Sequence, residues 1–122
     1  MDKNILVLAY LGDSVYEVYI RKFLIDKGLN KVNNLQKEAI KYVSAKGQCE
    51  LVKTLIEQNV LSKKELEIYF RGRNHKSKHH PKNTDILTYK EATGFEAIIG
   101  HLYLQGDIDR ITQIINYGLE VE

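Results

Sequence analysis

Apolar residues return every three or four positions along most of this chain. No stretch shows the strict alternation of a half-buried strand bounded by hairpin turns. Ile5 to about Lys27 is dense in apolar positions, and Gly28 supplies the stop that a helix C-terminus favours. Asn33 and Asn34 can cap a segment carrying Leu35, Ala39 and Tyr42. Ser44 can cap the next, where Ala45, Cys49, Val52, Leu55 and Ile56 form one helical stripe. Ser62-Lys63-Lys64-Glu65 has the form of a capping box ahead of Leu66, Tyr69 and Phe70. From Arg71 the chain carries Gly72 and its only proline, Pro81, and reads as loop. A further helix starts near Thr84 or Asp85 and runs to about Leu104, carrying Tyr89, Phe95, Ile98, Ile99 and Leu102. Gly106-Asp107 makes a turn and a cap, and Ile108, Ile111, Ile114 and Ile115 mark the last helix. The pattern predicts an all-α fold with about six to seven helices, residues 1–122 forming a single compact domain with one long loop.

Composition narrows this picture. A chain of 122 residues, 43% apolar and 28% charged, can bury one core and remain soluble. The single cysteine, Cys49, excludes an internal disulfide framework, fits a reducing compartment, and lies where a plain core thiol is expected. The start, Met1-Asp2-Lys3-Asn4, lacks the basic opening of a secretory signal. No uncharged apolar run reaches the roughly eighteen residues of a membrane span. A cytoplasmic protein without a membrane partner is expected.

Net charge is only +2, but its distribution is uneven. Arg71 to Thr84 holds five Lys/Arg, three His and no acid, while the remainder sets 13 Lys/Arg against 16 Asp/Glu. A short basic segment on a mildly acidic body points to a polyanionic partner. Arg71, Arg73, Asn74, Lys76 and Lys78, continued by Lys82 and Asn83, mix bidentate donors, point charges and short polar groups. Such a mixture suits phosphate and ribose. With little aromatic interleaving, backbone and 2′-hydroxyl contacts along a duplex fit better than base stacking. A merely solvated loop is the plainer alternative.

Two acids stand in unusual company. Asp13 follows Gly12 in a strongly apolar stretch and shares a helix face with Glu17, four residues on. An acid so placed needs a partner or a metal, unless it simply caps a helix. Glu96 lies between Phe95 and Ala97-Ile98-Ile99, where a lone carboxylate would be expensive. It either pairs with a Lys or Arg or joins a second acid in holding a hard divalent cation. No Walker loop, dinucleotide-binding glycine pattern, paired CxxC or HExxH is present. His79-His80 in a Lys-rich loop reads as RNA-facing or solvated, and Ser14 has no marked histidine partner.

These residues are also recognisable together. Leu11-Gly12-Asp13-Ser14-Val15-Tyr16-Glu17 resembles the signature helix of the ribonuclease III superfamily. Phe95-Glu96-Ala97-Ile98-Ile99-Gly100 resembles that family's second catalytic helix. Arg71-Gly72-Arg73-Asn74, Lys76-Ser77 and Pro81-Lys82-Asn83-Thr84-Asp85 are similar to the middle motif of its compact branch, the Mini-ribonucleases III, which consist of the catalytic domain only. The resemblance implies a helical endonuclease fold, a homodimer, and Mg²⁺-dependent cleavage of double-stranded RNA leaving 5′-phosphate and 3′-hydroxyl ends. It implies that Asp13 and Glu96 are the catalytic, metal-binding carboxylates, and that the substrate is the large-subunit ribosomal RNA precursor. A ribosomal protein is an open further partner on that substrate. Full-length family members add acids four and seven residues before the aspartate and three before the glutamate; Ala9, Leu6 and Thr93 stand there instead. No separate double-stranded RNA-binding domain is expected, so the catalytic domain is expected to grip its own substrate. Val15, Tyr16, Tyr19 and Ile20 suggest an apolar surplus on the first helix that builds the dimer. The alternative is a non-catalytic helical module that binds duplex RNA.

Overall fold

The structure is a computed structural model and describes residues 4–76 and 85–121. Six helices follow one another: α1 (Ile5–Asp26), α2 (Val32–Val43), α3 (Ala45–Glu57), α4 (Lys63–Arg73), α5 (Ile86–Leu104) and α6 (Ile108–Val121). No strand occurs among the described residues, so the all-α expectation holds.

The local signals act largely as expected. Lys27 caps α1 and Gly28 follows at φ 102°, a left-handed turn where a side chain would be strained. Ser44 caps α3 by accepting from the Gly47 N–H, and Ser62 and Glu65 form a reciprocal capping box on α4. Asp85 caps α5 through the Leu87 and Thr88 N–H groups. Two boundaries differ. α2 begins at Val32, ahead of Asn33 and Asn34, with Lys31 at its N-cap and no side-chain cap bond. α4 runs through Arg73, so Arg71 and Arg73 sit on its last turn rather than in a loop. Two basic residues there complement the helix dipole, which favours another half-turn over release into loop.

α5 is the central helix, packing against α1, α3, α4 and α6. From Glu91 to Gly100 every residue but Glu96 is buried. The core gathers Leu8, Tyr16 and Ile20 of α1, Val52 and Leu55 of α3, Ile68 of α4, Phe95, Ile98 and Ile99 of α5, and Ile111, Ile114 and Ile115 of α6. Tyr16 meets Phe95 edge-on at 5.0 Å between ring centres. Val15, Tyr16 and Ile20 are therefore spent within the fold, and Tyr19 is half-buried with its hydroxyl near Thr112. They are not the free apolar surface that the sequence suggested. α6 is held down where Arg110 reaches Glu65 at 2.7 Å and the Val60 carbonyl at 2.7 Å. Burial pushes the Glu65 carboxyl up, but the hydrogen bonds from Arg110 and Ser62 outweigh it and hold it below its ordinary value.

α1 and α5 approach one another backbone to backbone. A Cβ on Gly12 would lie 1.8 Å from the Glu96 carbonyl oxygen, and one on Gly100 would lie 1.9 Å from the Leu8 carbonyl oxygen. Both atoms are backbone, so no side-chain rotation can relieve the clash. Gly100→Ala must wedge the helices apart and is expected to cost about 3 kcal/mol or more, the upper end of overpacking penalties. Urea unfolding measures this; an unchanged midpoint would contradict the packing described.

Candidate active site

The glycine crossing puts the two candidate acids side by side. Asp13 follows Gly12 in the middle of α1, so it cannot be a helix cap. Glu96 is the one residue of 91–100 that keeps partial exposure, on the side of α5 turned to Asp13. The two carboxyls lie near enough for Asp13 to act directly on Glu96. Burial first, then the hydrogen bond and negative charge of Asp13, push the Glu96 carboxyl up to about 9. Glu96 thus holds a proton at neutral pH.

A third side chain completes the cluster. Gln48 of α3 is 1% exposed, and its amide Nε2 donates to Asp13 Oδ1 at 3.4 Å and to the Val43 carbonyl at 3.2 Å. It also lies near enough to Glu96 to lower that carboxyl, which partly offsets its rise. Sequence reasoning missed Gln48. The readable signal was its place four and seven residues before Val52 and Leu55, on the core face of α3.

What the pair lacks is as informative. Glu65 is matched by Arg110, and buried Glu91 is approached by Lys53 at 3.6 Å and Arg73 at 3.9 Å. Among the described residues no Lys or Arg pairs with Asp13 or Glu96. Glu17 does not join them; it lies 3.9 Å from Arg21 on the α1 surface.

The Glu91 cluster was not foreseen. The Cys49 thiol donates to Glu91 Oε2 at 2.7 Å. Burial and then Glu91 push that thiol up to about 11, so Cys49 is a buried, unreactive donor. Arg73 is accordingly drawn partly inward, while its Nη1 donates to Asn74 Oδ1 at 3.2 Å. Arg71, Asn74 and Lys76 are exposed beside it. Gly72 fixes this basic end of α4 to the central helix, since its Cβ would lie 2.9 Å from the Gly94 Cα. Lys78, Lys82 and Asn83, with His79 and His80, lie outside the described residues.

Comparison with known proteins agrees with this geometry. The Ribonuclease III domain profile matches residues 6–107. Mini-ribonuclease 3 of Brevibacillus brevis is 48% identical over 118 residues, covering 97% of this chain and 87% of its own. That of Streptococcus pneumoniae is 45% identical over 117 residues, covering 96% and 91%. A Fusobacterium nucleatum protein of known crystal structure superposes with a TM-score of 0.84 at 37% identity, covering 98% of this chain and 93% of that one. The chain belongs to the Mini-ribonuclease III branch of the ribonuclease III family. Membership supports an endoribonuclease acting on double-stranded RNA.

The ribonuclease III family is generally divalent-metal dependent, and the donors here can be tested against that need. Among the described residues no three His, Cys, Asp or Glu side chains converge on one point. Leu6 is at the surface, Ala9 is buried, and the Thr93 hydroxyl turns to the Tyr89 carbonyl at 3.0 Å, so none substitutes for a further acid. Two carboxylates without a basic partner among the described residues are still an all-oxygen set. Mg²⁺ takes few protein ligands and keeps several waters, so the set fits. No described helix is long and apolar enough to cross a membrane.

The raised carboxyl has a consequence for stability. In the unfolded chain Glu96 ionises near 4.5, and in the fold near 9. Its contribution is therefore fully present below 4.5 and is lost as pH rises towards 9. In EDTA, melting temperature should decline across that window, and Glu96→Gln should flatten the decline and melt higher than the parent at its alkaline end. Parallel pH profiles for the two proteins would refute the assignment.

Proposed function

We propose that this chain is a Mg²⁺-dependent, homodimeric endonuclease of double-stranded RNA, with Asp13 and Glu96 as its catalytic carboxylates. The observation that carries this reading is the meeting of two acids from packed helices, near enough to act on one another and without a basic partner among the described residues. Asp13 and Glu96 would hold the cation; Glu96 gives up its proton on binding it, so affinity should strengthen with pH. When bound, Mg²⁺ polarises the scissile phosphodiester and makes water a competent nucleophile, giving 5′-phosphate and 3′-hydroxyl ends. Arg71, Arg73 and Lys76 hold phosphates of the duplex, Asn74 reaches a sugar or base edge, and Lys78, Lys82 and Asn83 extend the same basic segment. We take the substrate to be the large-subunit ribosomal RNA precursor, in the cytoplasm, a finer assignment that rests on the family branch.

The dimer reading is supported by an apolar patch at one end of the α1–α5 pair. Leu6, Val7 and Tyr10 are 36%, 54% and 81% exposed, and Tyr103 and Leu104 are 46% and 52% exposed. The approach of Gly100 to Leu8 brings these two groups to the same end. A large exposed tyrosine amid aliphatics is costly in water and suits a second copy.

Two experiments test the reading. A labelled RNA duplex should be cut on both strands with Mg²⁺ and left intact in EDTA, and Asp13→Asn or Glu96→Gln should slow cleavage more than about 100-fold while the protein stays folded. Salt-sensitive binding without cleavage by the parent protein would mean a non-catalytic duplex-binding module. Sedimentation equilibrium at micromolar concentration should give a dimer, and Tyr10→Asp a monomer. A parent monomer would end the dimer proposal.

A further inference from the structure

Gln48 is an amide at a position where the core offers room for an aliphatic side chain. It is 1% exposed on the face of α3 that also carries Val52 and Leu55, both fully buried. Burying an amide is unfavourable unless its hydrogen bonds are made, and a Met or Leu would fill the same space without that cost. Its bonds go to the site. Nε2 is fixed on one side by the Val43 carbonyl at 3.2 Å, at the α2–α3 corner, and on the other reaches Asp13 Oδ1 at 3.4 Å. Both neighbours are acceptors, so the amide orientation is settled: nitrogen faces Asp13 and Val43. Oε1, equally buried, meets no protein donor. The corner itself is rigid, because a Cβ on Gly47 would lie 2.3 Å from the Lys41 carbonyl oxygen.

We propose that Gln48 is the positioning residue of the carboxylate pair, its amide nitrogen setting Asp13 from the α2–α3 corner. The proposal rests on the reading of Asp13 and Glu96 as the cation-binding pair. It gives this small site a neutral third member, where a third carboxylate would add repulsion between like charges. Groups that orient metal ligands without touching the metal are typically worth about 10–100-fold in affinity or rate.

Mn²⁺ titration by calorimetry, without RNA, reads the effect directly, with melting curves and cleavage kinetics alongside. Gln48→Met keeps volume and removes both amide groups. It should bind Mn²⁺ about 10-fold more weakly and lose about 10–100-fold in kcat, with KM for the duplex unchanged. Gln48→Glu adds a charge where the amide was. It should melt lower than the parent in EDTA, gain more melting temperature from Mn²⁺, and bind the cation more tightly than the parent. Parent-like Mn²⁺ affinity in Gln48→Met would overturn the proposal. So would a Gln48→Glu protein that binds Mn²⁺ no better than the parent, and this second variant decides the matter if the first does not fold. Asp13→Asn separates the two claims. If it binds Mn²⁺ as well as the parent, the carboxylate pair is not the cation site and both claims fall; if only Gln48→Met is parent-like, the role of Gln48 falls alone.

Discussion

Everything at the candidate site depends on how closely α1 and α5 cross. At Gly12 and Gly100 each helix lies against the other's backbone, with no space for even one methyl group. Asp13 and Glu96 are short side chains on separate helices, and a crossing this tight brings them together. The approach is sustained by the packing around it: Tyr16 on Phe95, and the aliphatic surround of α5 from α3, α4 and α6. A helix buried on nearly all sides makes a stiff platform. Glu96 is the one point between Glu91 and Gly100 where that platform reaches partial exposure.

The molecule deals with its acids in two ways, and the contrast marks out the candidate site. Glu65 lies under the bidentate hold of Arg110 and ionises more readily than usual. Glu91 has Lys53 and Arg73 close by and a thiol donating to it. Each supports the fold with cations the chain already carries. Asp13 and Glu96 receive only an amide, and the outcome is a carboxyl that keeps its proton to about 9. Such an arrangement stores an unsatisfied demand for positive charge, which a hard cation relieves by displacing the proton. The basic end of α4 is tied to the same central helix through Gly72 and Gly94, so its basic side chains and the two carboxylates share one frame.

Much of this was legible in the sequence, because local rules and packing agree along most of the chain. Ser44, the Ser62–Glu65 box, Gly28 and the isoleucines of α6 all sit where helix chemistry places them. Asp13 and Glu96 were conspicuous as acids in apolar surroundings. Periodicity, however, gives a helix face without saying what covers it, so Val15, Tyr16 and Ile20 looked like surplus surface and are core. The exposed apolar residues are instead Val7, Tyr10 and their neighbours, on the opposite side of the same helix. Gln48 and the Glu91 cluster were unreadable for a related reason. Their partners lie 35 and 42 residues away, and no local pattern encodes those pairings.

The most direct test of the account is crystallographic. Crystals of the parent protein equilibrated with Mn²⁺ and measured at the manganese absorption edge should show an anomalous peak between the Asp13 and Glu96 carboxylates, absent in Asp13→Asn. An ion bound only elsewhere, or an empty carboxylate pair in crystals whose dissolved protein still cuts duplex RNA, would contradict the claim that the α1–α5 crossing exists to hold a cation.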